Sequence, residues 1–234
     1  MSGNQPKAHG FTLIELLVVI AIIAILASLS MSALARAKGR SRQAVCLSNL
    51  KQVDLAFRFY LDENDDQFPD ARSLKSRLGF KPWNDWPKSD PRSGWAANQL
   101  ESYLATTKVW LCPAVFYSPL RHATQAVQPV SESRTNELVS YWLWRFDRIE
   151  DPVPLDNFWN KKPMQALQDL RLANNPAAGL PDSLSQVELA VDPYFPATIA
   201  AVAPELKGHS VHPKGRNVLM LDGHAAFVRD ARLR

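Results

Sequence analysis

The chain has little cysteine: Cys46 and Cys112 are its only two. Their spacing is neither Cys-x-x-Cys nor that of a zinc finger, which excludes a thioredoxin-type pair and a finger written into the sequence. Two distant cysteines are compatible with one disulfide if the chain is exported, or with two independent buried thiols. Proline is missing from the first part. None occurs between Phe11 and Phe68, whereas sixteen of the seventeen lie from Pro69 onward. The early stretch can therefore run as one helix, and the later part is divided into short elements. Charge is missing between Phe11 and Met31, where Glu15 stands alone. Neither Gly-x-Ser-x-Gly nor His-Glu-x-x-His occurs, so no hydrolase signature is present. A non-enzymatic chain without a cofactor is expected. There is no internal repeat and no low-complexity tract.

The net charge is +4. Much of it comes from Arg36, Lys38, Arg40 and Arg42, with no acid among them. Just beyond an apolar helix, such a cluster is expected against lipid headgroups rather than nucleic acid, since no recognition motif accompanies it. Residues 16–27, LLVVIAIIAILA, are uninterrupted apolar, and about 20 such residues span a bilayer as a helix. The span can be read as a permanent anchor. It can also be read as a cleaved signal, with Lys7 as its basic region and Ala33-Leu34-Ala35 as a small-x-small site. Neither reading accounts for Glu15, because a lone charge in hydrocarbon costs roughly 3 kcal/mol even on the lenient insertion scale.

Past the span, Cys46, Leu50, Val53, Phe57 and Tyr60 recur at steps of four and three. That is one apolar stripe on a helix, with Arg42, Gln43, Asn49, Lys51 and Arg58 on the other face. The helix is expected to end near Asp62. Asp62, Asn64 and Asp66 have the opening spacing of a calcium loop, but Gln67 stands at the required glycine, so a solvated acidic turn is favoured. All seven tryptophans fall between Trp83 and Trp159. They are expected in the core rather than as a sugar-binding platform. KVWLC (108–112) and ELVSYWLWRF (137–146) read as strands, residues 94–104 and 164–173 as short helices, and 173–183 as a loop. NVLMLDGHAAFVR (217–229) reads as a β-hairpin turning at Asp222-Gly223 in a type I′ turn.

The stretch Gly10-Phe11-Thr12-Leu13-Ile14-Glu15 resembles the prepilin cleavage and methylation motif. The resemblance implies a 1–10 leader, removed by a prepilin peptidase that cuts between Gly10 and Phe11 and N-methylates Phe11. It implies that Glu15 serves assembly by meeting the α-amino group of a neighbouring subunit, since a buried charge is tolerable once paired. It also implies a pilin-like α+β fold. In that fold a long N-terminal helix, transmembrane over 11–31 and amphipathic over 32–62, packs on a small antiparallel sheet of an exported head at 63–234. The expected partners are the peptidase, other copies or other pilin-like subunits, and inner-membrane lipid, with no nucleic acid. The location implied is the bacterial inner membrane, single-pass, with the head in the periplasm or outside. The basic flank at Arg36–Arg42 would by itself place the head inward, and the resemblance is followed here.

His212 precedes Asp222 with nine residues between them. Together with Gly223, Cys46–Gln52 and Cys112-Pro113, this resembles a C-terminal domain found with prepilin leaders and named for His-x9-Asp-Gly. Val211 and Met220 depart from its usual pattern. His212, Asp222 and Gly223 are expected to lock the hairpin to the loop entering it, His212 bonding Asp222. A zinc site on His209, His212, Asp222 and His224 is the weaker alternative. The function expected is that of a filament or pseudopilus subunit. The competing readings are a membrane-anchored protein that binds sugar or metal without polymerising, and an enzyme released by cutting near Ala35.

Overall fold

The computed structural model describes residues 12–176 and 179–234. Helix α1 spans Leu13–Glu63. The residues up to Ser41 and those from Arg42 to Arg234 form separate compact units. In the first, every described residue is exposed, including Leu13, Leu29 and Met31. A window in this part of α1 is long and apolar enough to cross a membrane.

In the second unit, α1 buries Cys46, Leu50, Val53, Ala56 and Phe57, and Tyr60 is half-buried. The stripe read from the four-and-three spacing is thus the packed face. Phe57 lies against Phe68, Trp110 and Phe146. Complete burial of such a side chain is worth roughly 1.5–3 kcal/mol. The helix ends in a turn in which Asp65 and Asp66 have positive φ. There Asn64 Nδ2 donates to Tyr60 O at 2.7 Å, so the Asn64 side chain faces back onto the helix end.

The rest of the unit is α+β. It combines short helices α2 (Arg72–Arg77), α3 (Gly94–Gln99) and α4 (Pro163–Leu172) with small antiparallel sheets. The largest sheet has three strands in the order β3 (Glu188–Val191), β6 (Gly215–Met220), β7 (Ala225–Arg229). Two-stranded pairs join β1 (Gln128–Pro129) to β2 (Leu138–Val139), and β4 (Tyr194–Phe195) to β5 (His209–Ser210).

Two expected strands differ. In KVWLC the residues through Trp110 form a 3-10 turn, Thr107–Trp110, capped by Thr106 Oγ1 accepting from Lys108 N. In 137–146 only Leu138–Val139 pair as a strand, with two further bridges from Trp142, to Arg92 and to Val191, before a 3-10 turn at Trp144–Phe146. The backbone of these segments is satisfied piecemeal. Leu143 N donates to Pro91 O, Ser140 N to Trp110 O, and Cys112 N to the Ser140 hydroxyl. Their aromatic and β-branched content reflects burial. Trp95, Trp110, Trp142 and Trp159 are at most 1% exposed. Trp83, Trp86 and Trp144 pack around Trp142 with Tyr194 and Phe195.

Candidate functional site

At the membrane-type end, α1 opens with a reciprocal cap. Thr12 Oγ1 accepts from Glu15 N at 3.2 Å, and Glu15 Oε2 accepts from Thr12 N and from Thr12 Oγ1, both at 2.8 Å. This is a capping box, Thr-x-x-Glu at the start of an apolar run. The spacing was legible in Thr12-Leu13-Ile14-Glu15, and reading Glu15 only as an intersubunit group passed over it. The carboxylate thus holds two partners inside its own chain. Gly10 and Phe11 lie outside the described residues.

At the other end, β6 and β7 form the hairpin. The turn is longer than the sequence implied. Leu219 pairs with Ala225, Met220 N donates to His224 O, and Gly223 N donates to Met220 O, both at 2.9 Å. Of the two residues expected at positive φ, only Gly223 (φ 88°) has it. A turn closed by a left-handed glycine in a three-residue loop fits these bonds, and type I′ does not.

The turn is tied to α1. Lys51 Nζ donates to Gly223 O at 2.8 Å, Arg58 Nη2 donates to Asp222 O, and Arg58 Nε pairs with Asp54 at 2.9 Å. Lys51 and Arg58, placed by the sequence on the face opposite the apolar stripe, are the helix's grip on the hairpin. Burial opposes ionisation of Asp222. The bonds from His224 N (3.1 Å) and Nδ1 (2.6 Å) outweigh it and hold the carboxyl below its ordinary value.

His212 does not bond Asp222. Its Nε2 lies 3.3 Å from Asp192 Oδ2 and 3.5 Å from Cys112 Sγ. The reason is topological: His212 enters β6 at the end away from the turn, whereas Asp192 follows β3, the neighbour of β6. Asp192 N donates to Asn217 O, and Asp192 Oδ2 accepts from Asn217 N. Cys112 is disulfide-bonded to Cys46, with their Cα atoms 5.0 Å apart. The four residues of the alternative zinc site therefore separate. His224 and Asp222 share the exposed turn, His209 sits in β5, and His212 belongs to a buried cluster with Cys46, Cys112 and Asp192. Asp192 is the member that sequence reading missed. It carries no motif signal, only its place after an apolar strand.

A cleft of about 570 Å³ is lined by Trp86, Trp144, Arg148, Tyr194 and Arg216 among others. Three of its arginines are engaged by carboxylates: Arg148 by Asp156, Arg216 by Glu188 and Asp230, and Arg232 by Asp230; Arg145, also in the lining, has a buried Nε without a hydrogen-bond partner.

Residues 5–31 match the family model described as the prokaryotic N-terminal methylation motif. The chain is 36% identical over 82 residues to the type IV major pilin protein PilA of Myxococcus xanthus (strain DK1622). That alignment covers 35% of this chain and 36% of the relative, so the chain spans about a third of the protein it matches. No solved structure matches.

Proposed function

We propose that the chain is a pilin-like structural subunit, processed between Gly10 and Phe11 by a prepilin peptidase. It is N-methylated on Phe11 and assembled through its N-terminal helix into a type IV pilus-like filament or a secretion pseudopilus. The observation that carries this reading is the methylation-motif match over residues 5–31, with Glu15 near the start of an apolar stretch of α1 whose described residues are all exposed. An exposed apolar surface of this length calls for lipid or for other helices. Single-pass insertion in the inner membrane, with the head in the periplasm or outside, follows from the same reading. So does a head assigned to the His-x9-Asp-Gly type: three of the segments carrying that resemblance, at Cys46, Cys112 and His212, meet in one place, while Asp222-Gly223 makes the hairpin turn.

The capping box refines the role of Glu15. Its bonds to Thr12 can be exchanged in the filament for the α-amino group of a neighbour, which adds a full charge where the box offers only dipoles. Mass and N-terminal sequence of the protein from its host's membranes are expected to give N-methylated Phe11. A start at Met1 or near Arg36 rejects the reading. Glu15→Gln keeps a capping acceptor but loses the charge. Processed monomer should accumulate in that variant while sheared filaments fall at least tenfold. Wild-type assembly by Glu15→Gln would show that the cap, not the charge, is what matters.

A further inference from the structure

Four side chains able to hold a metal ion converge where α1 meets the sheet. One donor atom from each of Cys46, Cys112, Asp192 and His212 lies within 4.8 Å of the others. All four residues are buried, Asp192 completely. They come from four separate parts of the chain: the middle of α1, the segment after Trp110, the end of β3 and the entry to β6.

The distances among them have a definite meaning. A tetrahedral zinc with ligand distances of about 2.3 Å to sulfur and 2.0–2.2 Å to nitrogen or oxygen has sulfur–nitrogen edges of about 3.5 Å and nitrogen–oxygen edges of about 3.3–3.4 Å. Cys112 Sγ and His212 Nε2 are 3.5 Å apart, and His212 Nε2 and Asp192 Oδ2 are 3.3 Å apart. Two edges of the tetrahedron are therefore set while the cysteines are still joined. The two sulfurs must separate to about 3.8 Å, and the three remaining edges start from at most 4.8 Å.

A second observation concerns the same place. Asp192 Oδ1 is buried without a hydrogen-bond partner, as are both side-chain polar atoms of Asn217, whose backbone holds Asp192. Buried carboxylate oxygens left unmatched are costly, and each such group calls for an explanation. A disulfide alone has no use for a histidine and an incompletely satisfied aspartate beside it.

We propose that Cys46, Cys112, His212 and Asp192 form a zinc site that is exclusive of the Cys46–Cys112 disulfide. A dithiol reductant gives two electrons to the disulfide, is itself oxidised to a disulfide, and leaves two protonated thiols. Zinc then displaces one proton from each thiol and takes His212 Nε2 and the Asp192 carboxylate, whose Oδ2 lies nearest His212 and whose Oδ1 is otherwise unpartnered, as its remaining ligands. In both states α1 is cross-linked to the segment after Trp110. Reduction thus exchanges one clamp for another rather than freeing the helix.

The test uses the full-length chain in detergent, reduced anaerobically with a phosphine and titrated with Co²⁺ as a spectroscopic stand-in for zinc. One Co²⁺ per chain should bind, with the intense visible bands of tetrahedral cobalt and a thiolate charge-transfer band. Zn²⁺ should abolish both. His212→Gln and Asp192→Asn should each weaken binding at least tenfold, with circular dichroism on the same samples reporting whether the fold persists. Zinc should also raise the thermal midpoint of the reduced wild type and leave that of the disulfide form unchanged. The proposal is overturned by a faint octahedral spectrum, by equal binding to the disulfide form, or by unchanged affinity in both variants, which would leave the cysteines as the only ligands. Reduced wild type that stays unfolded at saturating zinc overturns it as well.

Discussion

Lys75 is 4% exposed, and its ammonium donates to the backbone carbonyl of Asp90. Burial pushes its pKa down to about 8, against the attraction of Asp90 and Asp147. An unfolded lysine titrates near 10.4. Between those values the unfolded chain binds more protons than the folded one, so this group makes stability rise with pH. The gain is complete above about pH 10 and is lost as pH falls through about 8. It is on the order of 3 kcal/mol at most. Tyr194, pushed up to about 12 mainly by burial, works in the opposite sense above pH 10 and closes the window. Urea midpoints at pH 7.5 and 9.5 should therefore rise for the wild type, and Lys75→Met should flatten the difference. A wild type that weakens over that interval contradicts the assignment. Nothing in the sequence marks Lys75, since lysine is almost always solvated. Glu15 was legible because its surroundings are uniformly apolar. Asp192 was not, because its partners, His212 and Asn217, are 20 and 25 residues away in sequence.

Among elements, the hairpin and α1 were the most legible, and how they meet was the least. Apolar spacing placed Cys46, Leu50, Val53 and Phe57 on the packed face, because a 3.6-residue period survives in any environment. The Asp222-Gly223 pair placed the turn. What the pattern could not give is that Lys51 and Arg58 reach across to that turn, since long side chains on a polar face read the same whether solvated or engaged. Gly223 is where this matters. Its φ is 88°, and a Cβ there would lie 2.2 Å from Arg58 Nη2 and 2.5 Å from Asp54 Oδ2. Gly223→Ala should destabilise the chain by about 1–3 kcal/mol, from the left-handed backbone and from displacement of Arg58. Arg58 is partly exposed and can move aside, so a double-mutant cycle with Arg58→Ala separates the two costs. A smaller cost of Gly223→Ala in the Arg58→Ala background assigns the remainder to the backbone and to Asp54, whose carboxylate also crowds the position. Additive effects would mean that the guanidinium does not crowd the turn. The strands expected at 108–112 and 137–146 failed for a different reason. Aromatic and β-branched residues mark buried surface as readily as sheet, and here the buried surface is built from turns.

For the whole molecule, the described residues of α1 up to Ser41 are all exposed, and the second unit has a core of its own. Within that unit the Cys46–Cys112 bond joins residues 66 apart in sequence. Closing a loop of that size removes chain entropy from the unfolded state worth about 4 kcal/mol on the loop-entropy estimate. That is a large share of the roughly 5–15 kcal/mol typical of a folded domain. Cys46→Ala/Cys112→Ala should therefore lower stability by about 2–4 kcal/mol, read as a shift in the denaturant midpoint with the slope unchanged. Reduction of the wild type without metal should cost a similar amount, since it opens the same loop and leaves the same core. The two differ in what restores them. Zinc closes that loop in the reduced wild type and has nothing to hold in the double variant. Stability recovered with zinc in the first and not in the second would mean that the cross-link itself, in either chemical form, keeps α1 on the head. Recovery in both would place the zinc elsewhere. If the double variant loses nothing, the helix is held by its apolar stripe and the grip of Lys51 and Arg58 alone.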